Sequence, residues 1–401
     1  MCLFMFSIYI NQLFKVFMLI NQIVLKITNR CNLNCSYCYV FNKGNYAFLV
    51  EPSFISDSII IELFNKIEVY CKRNKIKRFY VVFHGGEPLL LGRDFFSRAV
   101  SYANTIVKST DLIFSLQTNG TLINNEWCDL FSKFKIHVGI SFDGTELANK
   151  DRVFRKDSTP AFQSILSGIK IYSNRFVDTS ILSVINTTEN PIKLYSNLKE
   201  LNITSADFLF PDINYDTNIM VNDDISFWLI DLFNVWYSDQ KKNRISIRFF
   251  ENIIRLILGD SNAGNEVLGT KNNAVLAIKS NGNIEAVDSL KICGDGFTKT
   301  KLNILENDFN DIVNEPLILK YYNAHKESVL CEKCNLCNLN KICGGGQLAH
   351  RYSSKNGFDN PSVYCSQMIK LLVHIQNKIF DELPIEIIIK SKLERLSIND
   401  F

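Results

Sequence analysis

Residues 22–38 read QIVLKITNRCNLNCSYC, an apolar run that leads directly into three cysteines. The run at 22–28 is short and rich in β-branched residues, which is typical of a buried strand. Cys31, Cys35 and Cys38 follow with CxxxC and CxxC spacing. Soft thiolates on a short, adaptable loop suit an iron–sulfur cluster, and three ligands leave one iron open to a small molecule. The stretch therefore predicts a strand that ends in a cluster-binding loop.

A structural zinc site is the alternative for this loop. Zinc sites of that kind normally use four ligands, commonly arranged in CxxC pairs. The chain offers no fourth cysteine or histidine close to Cys38. The spacing therefore favours the cluster over zinc.

Strand-like and helix-like stretches alternate from residue 22 to about residue 210. Strands are predicted at 22–28, 78–88, 111–120, 136–144, 179–186 and 205–212; helices are predicted at 56–73, 93–108 and 124–133, and before each of the last two strands. Ser56 is the expected N-cap of the first helix. Such alternation predicts an α/β protein with a parallel sheet that binds ligands at the carboxyl ends of its strands. About six βα units are fewer than the eight of a closed barrel, so we expect a partial (βα)6 TIM-like barrel.

A second group of cysteines lies near the C-terminus. Its members are Cys293, Cys331, Cys334, Cys337, Cys343 and Cys365. Grouped thiols in a chain of this length indicate metal ligation in a reducing compartment, here taken as the cytoplasm, rather than disulfides. Zinc remains an alternative for this group, because CxxCxxC alone is not diagnostic. Cys2, Cys71 and Cys128 stand alone and are expected to be buried or inert.

The 401-residue chain is 47% hydrophobic and carries a net charge of +3. These values are typical of a folded protein and indicate no nucleic-acid partner. The predicted parts are an apolar N-terminal extension (1–20), the barrel (21–220), a helical bridge (221–284), a cysteine-rich domain (285–370), and a C-terminal helix and tail (371–401). Polar residues interrupt the extension, so we expect no membrane contact; either a true start at Met18 or packing on the body explains it.

The first cysteine loop resembles the CxxxCxYC signature of the radical S-adenosylmethionine (SAM) superfamily, Tyr37 included. The sequence HGGEP at 84–88 resembles the element of that family that receives the methionine part of SAM. The resemblance implies that Gly85, Gly86 and Glu87 bind SAM, with close backbone approach at the glycines. It also implies a [4Fe–4S] cluster that reduces SAM to methionine and a 5′-deoxyadenosyl radical.

Other strand ends extend the resemblance. It places Asn119, Ser141 and Asp143 beside the ribose and carboxylate of SAM. Arg155 is the expected bidentate donor to the SAM carboxylate, with Arg152 as its nearest rival.

The C-terminal cysteines resemble a SPASM domain, which carries auxiliary Fe–S clusters in peptide-modifying radical SAM enzymes. The usual pattern has one more cysteine, and Gln347 stands where it would fall. Six thiols cannot complete two clusters with four cysteine ligands each. The resemblance therefore implies one auxiliary cluster, or two with open or non-cysteine sites, for which Asp288 is the first candidate.

The sequence CGGGQLAHRYSSKNGFDNPSVYC at 343–365, with HGGEPLLLG at 84–92, resembles a narrower subgroup. These radical SAM/SPASM maturases join a β-carbon of a ribosomally made precursor peptide to an aromatic ring, giving a cyclophane. The subgroup implies a precursor peptide and an external flavodoxin- or ferredoxin-type electron donor as partners. The sequence identifies no proton acceptor, although Asp207, Asp212 and His84 lie near strand ends.

Three alternatives remain open. An anaerobic sulfatase-type maturase would oxidise Cys or Ser to formylglycine, and a thioether-forming maturase would crosslink Cys. A zinc-binding scaffold or peptide carrier would have no activity and would require the strand-end motifs to be coincidental.

Overall fold

The computed structural model describes residues 18–43, 47–217, 219, 221–391 and 393–401. A ten-stranded sheet forms its centre, in the order β10-β9-β8-β1-β2-β3-β4-β5-β6-β7. The strands are β1 (Gln22–Thr28), β2 (Arg78–Gly85), β3 (Asp111–Thr118), β4 (His137–Ser141), β5 (Ser180–Val184), β6 (Ser205–Leu209), β7 (Ser246–Ile247), β8 (Val275–Ile278), β9 (Asn283–Glu285) and β10 (Lys299–Asn303).

Strands β1 to β6 are parallel to their neighbours and follow chain order. The helices between them are α1 (Asp57–Asn74), α2 (Arg93–Ile106), α3 (Asn125–Phe134), α4 (Phe162–Ser173) and α5 (Pro191–Glu200). The side chain of Ser56 accepts a hydrogen bond from the Ile59 N–H (3.4 Å) and caps α1 as predicted. The prediction of an α/β fold with six open βα units is confirmed.

Alternating burial explains why these strands form. Phe79, Val81 and Phe83 on β2 are fully buried, whereas the residues between them are partly or fully exposed. In a strand, residues two apart share a face, so these three side chains pack together on one side of the sheet. Because the strands are parallel, their carboxyl ends meet at one edge of the sheet, and ligands bind at this edge in such folds.

The sheet also continues on the other side of β1. Strand β8 pairs with β1 in parallel, and β9 and β10 follow in antiparallel pairing. The segment 221–284 contains the predicted helices α6 (Asp224–Ser238) and α7 (Arg248–Ile257), but it also contains β7 and β8. The expectation of a purely helical bridge is therefore wrong, and its boundary at 284 falls inside β9. Pairing with β8 satisfies backbone groups that an uncovered edge of β1 would expose.

The C-terminal cysteines lie among short helices. These are α8 (Phe309–Ile312), α9 (Pro316–Tyr322), α10 (Glu332–Asn335) and α11 (Asn340–Cys343), followed by α12 (Cys365–Glu382) and α13 (Ile385–Ser391). The predicted C-terminal helix is α12, which buries Leu371, Leu372 and Ile375 and contacts α6 and α7. Its first residue is Cys365, so the boundary predicted at 370 falls inside this helix.

Of the N-terminal extension, residues 1–17, with Cys2, lie outside the described residues. Met18 and Ile20 are buried, and the Ile20 N–H donates to the Tyr70 hydroxyl (2.9 Å). Residues 18–20 therefore pack on the body of the protein. Among the helices that the structure describes, none is long and apolar enough to cross a membrane.

Candidate functional site

The three cysteines of the first loop lie together just beyond β1. All three are half-buried. Burial, with smaller contributions from Glu87 and the other two thiols, raises the pKa of Cys31 to about 12. Burial also raises the pKa of Cys35 to about 11. The thiols are therefore protonated until a metal displaces the protons.

The donor set fits a cluster better than a single ion. Tetrahedral zinc needs four ligands at about 2.0–2.3 Å from the metal. Within the ranges that the structure describes, no three Cys, His, Asp or Glu side chains are arranged to hold one metal ion. Three soft thiols on one short loop suit an iron–sulfur cluster with one open iron.

The Gly-Gly turn after β2 packs backbone to backbone against the cysteine loop. The Gly86 N–H donates to the Thr28 carbonyl (3.0 Å), and the Glu87 N–H donates to the Arg30 carbonyl (2.8 Å). A Cβ at Gly85 would lie 2.2 Å from the Thr28 oxygen, and one at Gly86 would lie 2.2 Å from the Arg30 oxygen. The glycines are therefore required by the approach of the two backbones.

We expect Gly86→Ala to displace the cysteine loop and to lower its iron content. The added Cβ meets main-chain atoms of Arg30 that cannot rotate away, and forcing a group into such a space costs about 1–3 kcal/mol. Gly92→Ala is the matched control, because its Cβ meets nothing within 4 Å while its positive φ still imposes backbone strain. Iron content after reconstitution is the measurement; equal iron in both variants would contradict the expectation.

Glu87 joins the ends of β2 and β3. Its side chain is fully buried; one carboxylate oxygen accepts from the Thr118 hydroxyl (2.7 Å) and the Leu89 N–H (3.0 Å), and the other from the Asn119 N–H (2.8 Å). Burial raises the pKa of Glu87 to about 7, against the effect of these donors. Both oxygens already have protein donors, and contact of Glu87 with SAM stays a prediction.

Asn119 is brought to the cysteine loop. Its side-chain amide donates to the side-chain Oδ1 of Asn32 (2.8 Å) and lies 3.8 Å from the sulfur of Cys31. Ser141, at the end of β4, is half-buried and accepts from the Gln117 amide (2.9 Å). Both residues therefore line the predicted edge of the sheet, although their contact with SAM remains a prediction.

Asp143 and Arg152 form a buried ion pair that holds Tyr37. The guanidinium Nε and Nη2 of Arg152 lie 2.8 and 3.0 Å from the two carboxylate oxygens. The Tyr37 hydroxyl donates to the same carboxylate (2.9 Å), as does the Val184 N–H (2.9 Å). Burial opposes the charge of Arg152, but Asp143 outweighs it and raises the pKa of Arg152. The pair thus fixes the cysteine loop to the ends of β4 and β5.

The side chain of Arg155 contacts the main chain of the cysteine loop. Its Nε lies 3.3 Å from the Cys31 carbonyl oxygen and its Nη2 lies 3.2 Å from that of Leu33. The guanidinium also lies over the Phe41 ring, 5.1 Å from its centroid. Because both arginines have protein partners, neither points to a free site for the SAM carboxylate, and the predicted contact of Arg155 with SAM stays a prediction.

A buried group of lysines and carboxylates lies beside this site. Lys26 on β1 contacts Glu285 (2.8 Å) and Asp288, and Lys291 contacts Asp288 (3.2 Å). Burial opposes ionisation, but Lys26 and Lys291 outweigh it and lower the pKa of Asp288. The expectation that Asp288 could ligate an auxiliary cluster is corrected, since its carboxylate is paired with two lysines. Sequence reasoning missed this group; Lys26 within an apolar strand was its only signal.

The three candidate proton acceptors differ in their surroundings. Asp207 pairs with Arg248, and the Nδ1 of His84 accepts from the Gly85 N–H (2.8 Å). Asp212 has no hydrogen-bond partner within the described ranges, and burial, with Glu266, raises its pKa to about 7. No further observation assigns the role to any of them.

Four of the C-terminal cysteines line one cavity of about 260 Å³. They are Cys334, Cys337, Cys343 and Cys365. Cys331 is buried beside Cys334, and burial raises the pKa of Cys334. Cys293 is buried elsewhere, with its sulfur 3.9 Å from the Ala349 carbonyl oxygen and Asp216 and Asp212 as its charged neighbours. The structure therefore separates Cys293 from the other five predicted ligands.

Residues 25–201 match the family model of the Radical SAM superfamily. The chain contains a radical SAM domain. The match spans β1 to α5 and includes the cysteine loop, the Gly-Gly turn and the Asp143–Arg152 pair. The cofactors of this domain are a [4Fe–4S] cluster and SAM, and Cys31, Cys35 and Cys38 would hold the cluster.

Some similar proteins match most of this chain, and others match less than half of it. A "Cysteine-type anaerobic sulfatase-maturating enzyme" of Clostridium novyi is 24% identical over 86% of this chain and 92% of that protein. The "Serine-type" enzyme of Bacteroides thetaiotaomicron is 28% identical over 43% of this chain and 41% of that protein. Among solved structures, native anSMEcpe with bound AdoMet has a TM-score of 0.77, with 22% identity over 90% of this chain and 98% of that one. Streptococcus suis SuiB bound to the precursor peptide SuiA has a TM-score of 0.52, with 18% identity over 83% and 72%.

Proposed function

We propose that this radical SAM enzyme oxidises a ribosomally made precursor peptide and joins a β-carbon of one residue to a nearby aromatic ring. The observation that carries the proposal is the second group of thiols in the same chain, four of which line one cavity. These thiols would hold an auxiliary iron–sulfur cluster, which is a one-electron acceptor. A chain with two redox sites suits a reaction in which the substrate loses electrons overall.

The reaction balances as a loss of two hydrogen atoms from the peptide. Two C–H bonds break and one C–C bond forms; one hydrogen leaves on 5′-deoxyadenosine, and the other leaves as a proton and an electron. Bound cluster and SAM supply the radical that takes the first hydrogen. The protein's own residues position the parts: Arg155 and the Asp143–Arg152 pair hold the cysteine loop, and Gly86 allows the Gly-Gly turn to approach it.

A peptide substrate is supported by the relatives. Two relatives are named for maturation of sulfatases. Two solved structures of similar fold contain a bound peptide, which is the Cp18Cys peptide in one and the precursor peptide SuiA in the other. The narrow resemblance at 343–365 supports crosslinking to an aromatic ring in particular. Joining two side chains requires them to be held at contact distance, which favours an extended or turn-like bound peptide.

Formylglycine formation is the second candidate. It is favoured by the sulfatase-maturating relatives, of which the Clostridium novyi enzyme matches 86% of this chain and the Bacteroides thetaiotaomicron enzyme 43%. In that reaction a Cys side chain loses two hydrogen atoms to give a thioaldehyde, and water then hydrolyses the thioaldehyde to an aldehyde with release of hydrogen sulfide. The two candidates share the first hydrogen removal and differ in the fate of the substrate carbon.

We expect the reduced, iron-loaded protein to convert a precursor peptide encoded beside its gene into a product lighter by two hydrogen atoms. Tandem mass spectrometry should place the new bond at an aromatic residue, and every substrate thiol should still react with an alkylating agent. A peptide with that aromatic residue replaced by Leu is the matched control and should stay uncrosslinked. A Cys-containing sulfatase peptide converted to a hydrazide-reactive aldehyde would instead favour formylglycine formation, and blocked thiols would favour a thioether.

A further inference from the structure

Arg351 is a fully buried cation. Its guanidinium donates to the main-chain carbonyl oxygens of Gly345 (2.9 Å), Ala324 (2.7 Å), Gly346 (2.7 Å) and Gly344 (3.1 Å), and its Nη2 also lies 3.5 Å from the Nδ1 of His325. No ion pair to Arg351 occurs among the residues that the structure describes. Hydrogen bonds to carbonyls satisfy the N–H groups, but a buried charge remains costly unless an anion compensates it.

The groups near Arg351 that can become anionic are thiols. Gly345, whose carbonyl oxygen accepts from Arg351 (2.9 Å), lines the same cavity as Cys334, Cys337, Cys343 and Cys365. Gly344, whose carbonyl oxygen lies 3.1 Å from the guanidinium, directly follows Cys343 in the chain. Thiolates that bind a cluster in this cavity would therefore lie close to the buried guanidinium and compensate its charge.

Two buried histidines near Arg351, His325 and His350, carry no positive charge. The His325 Nδ1 lies 2.7 Å from the Gly344 oxygen, and burial lowers the pKa of His325 to about 4. Burial and Arg351 lower the pKa of His350 to about 3. Both rings are neutral near pH 7, whereas Arg351 keeps its charge. Lys333 also lines the cavity, but it is exposed to solvent, where its field is screened.

We propose that Arg351 is the counter-charge of the auxiliary cluster held by Cys334, Cys337, Cys343 and Cys365, and that it raises the reduction potential of this cluster. A fixed positive charge in a buried site stabilises the more negative, reduced form over the oxidised form. The inference rests on the auxiliary cluster of the proposed function. Arg351 acts through the cluster and is a positioning residue, not a catalytic one. A higher potential makes the cluster a better acceptor of the substrate's electron.

The test is an EPR-monitored redox titration of the full chain, with Cys31, Cys35 and Cys38 replaced by alanine so that only the auxiliary cluster contributes. In this background we compare Arg351→Gln, which removes the charge but keeps two donors, with Arg351→Lys, which keeps the charge. We expect Arg351→Gln to lower the reduced-to-oxidised ratio at the parent midpoint about tenfold, equivalent to about 59 mV for one electron. Arg351→Lys should keep most of the parent midpoint. Arg98→Gln, an exposed arginine on α2, is the control and should shift nothing.

Three results would overturn the inference. They are an unchanged midpoint in Arg351→Gln, equal shifts in the Gln and Lys variants, and loss of iron from both, which would make Arg351 a support for the 344–346 main chain. An iron-free parent would overturn the inference together with the auxiliary-cluster part of the proposed function. The expected midpoint shift in a protein that modifies no peptide would support the inference and count against the proposed function alone.

Discussion

Replacing Cys31, Cys35 and Cys38 together by alanine should reduce formation of 5′-deoxyadenosine from SAM to the level of a protein-free blank. These thiols are the predicted ligands of the radical SAM cluster. Burial and the charge of the Glu87 carboxylate raise the pKa of Cys31, and the oxygens of Glu87 already accept hydrogen bonds from Thr118, Leu89 and Asn119. Loss of the thiolates therefore leaves no ligand for the iron that binds SAM.

The same variant should keep the iron bound by the C-terminal thiols. The measurement is nucleoside yield by chromatography, with iron and sulfide content determined on the same samples. Cys71→Ala/Cys128→Ala is the matched control, because both thiols are fully buried in α1 and α3 and their polar neighbours are residues outside the cysteine loop. The control should retain the parent's nucleoside yield. Undiminished nucleoside from the triple variant would refute the assignment of the cluster to this loop.

The parallel strands and the helices between them were predictable because each has a recognisable local sequence pattern. The apolar run at 22–28 coincides with β1, and Ser56 caps α1 as its residue type indicates. Polar residues placed at strand ends were expected to meet at one edge, and Asn119 does lie near Cys31. Each of these features depends on local sequence and on the period of the apolar residues.

The strands beyond β1 were not predictable in the same way. β8, β9 and β10 are three to five residues long and exist because they extend an edge that β1 supplies from far away in the chain. The partners of Arg152 and Arg155 were also hidden. Spacing alone cannot show that one arginine pairs with Asp143 while the other reaches the main chain of the cysteine loop. Both the added strands and the arginine partners depend on contacts between residues that are far apart in the chain.

The separation of the C-terminal thiols was hidden for the same reason. The sequence contains six cysteines from 293 to 365, and all six were predicted as metal ligands. Folding gathers five of them and leaves Cys293 near Asp216 and Asp212. A single cluster with four cysteine ligands is thus the simplest outcome of this arrangement, with Cys331 as a fifth thiol beside it.

Arg152→Met should destabilise the protein by about 3–5 kcal/mol, because it leaves the Asp143 carboxylate buried without its counter-charge. Arg152 and Asp143 are 6% and 2% exposed, and the pair makes two hydrogen bonds of 2.8 and 3.0 Å. The measurement is the shift in the urea unfolding midpoint, followed anaerobically by tryptophan fluorescence on the iron-loaded protein. Iron content should fall as well, because the Tyr37 hydroxyl holds the cysteine loop through the same carboxylate (2.9 Å).

Two further variants separate the ion pair from a general loss of packing. Arg152→Met/Asp143→Asn removes both charges, so its destabilisation should be smaller than the sum of the two single effects. Arg98→Met removes one partner of a pair with Asp57 that is 50% and 40% exposed, and it should leave the unfolding midpoint close to that of the parent. Equal midpoints for Arg152→Met and Arg98→Met would contradict the structural role given to the buried pair. Additive single and double effects would show instead that Arg152 acts through packing on Tyr37, whose ring lies 5.5 Å from its guanidinium.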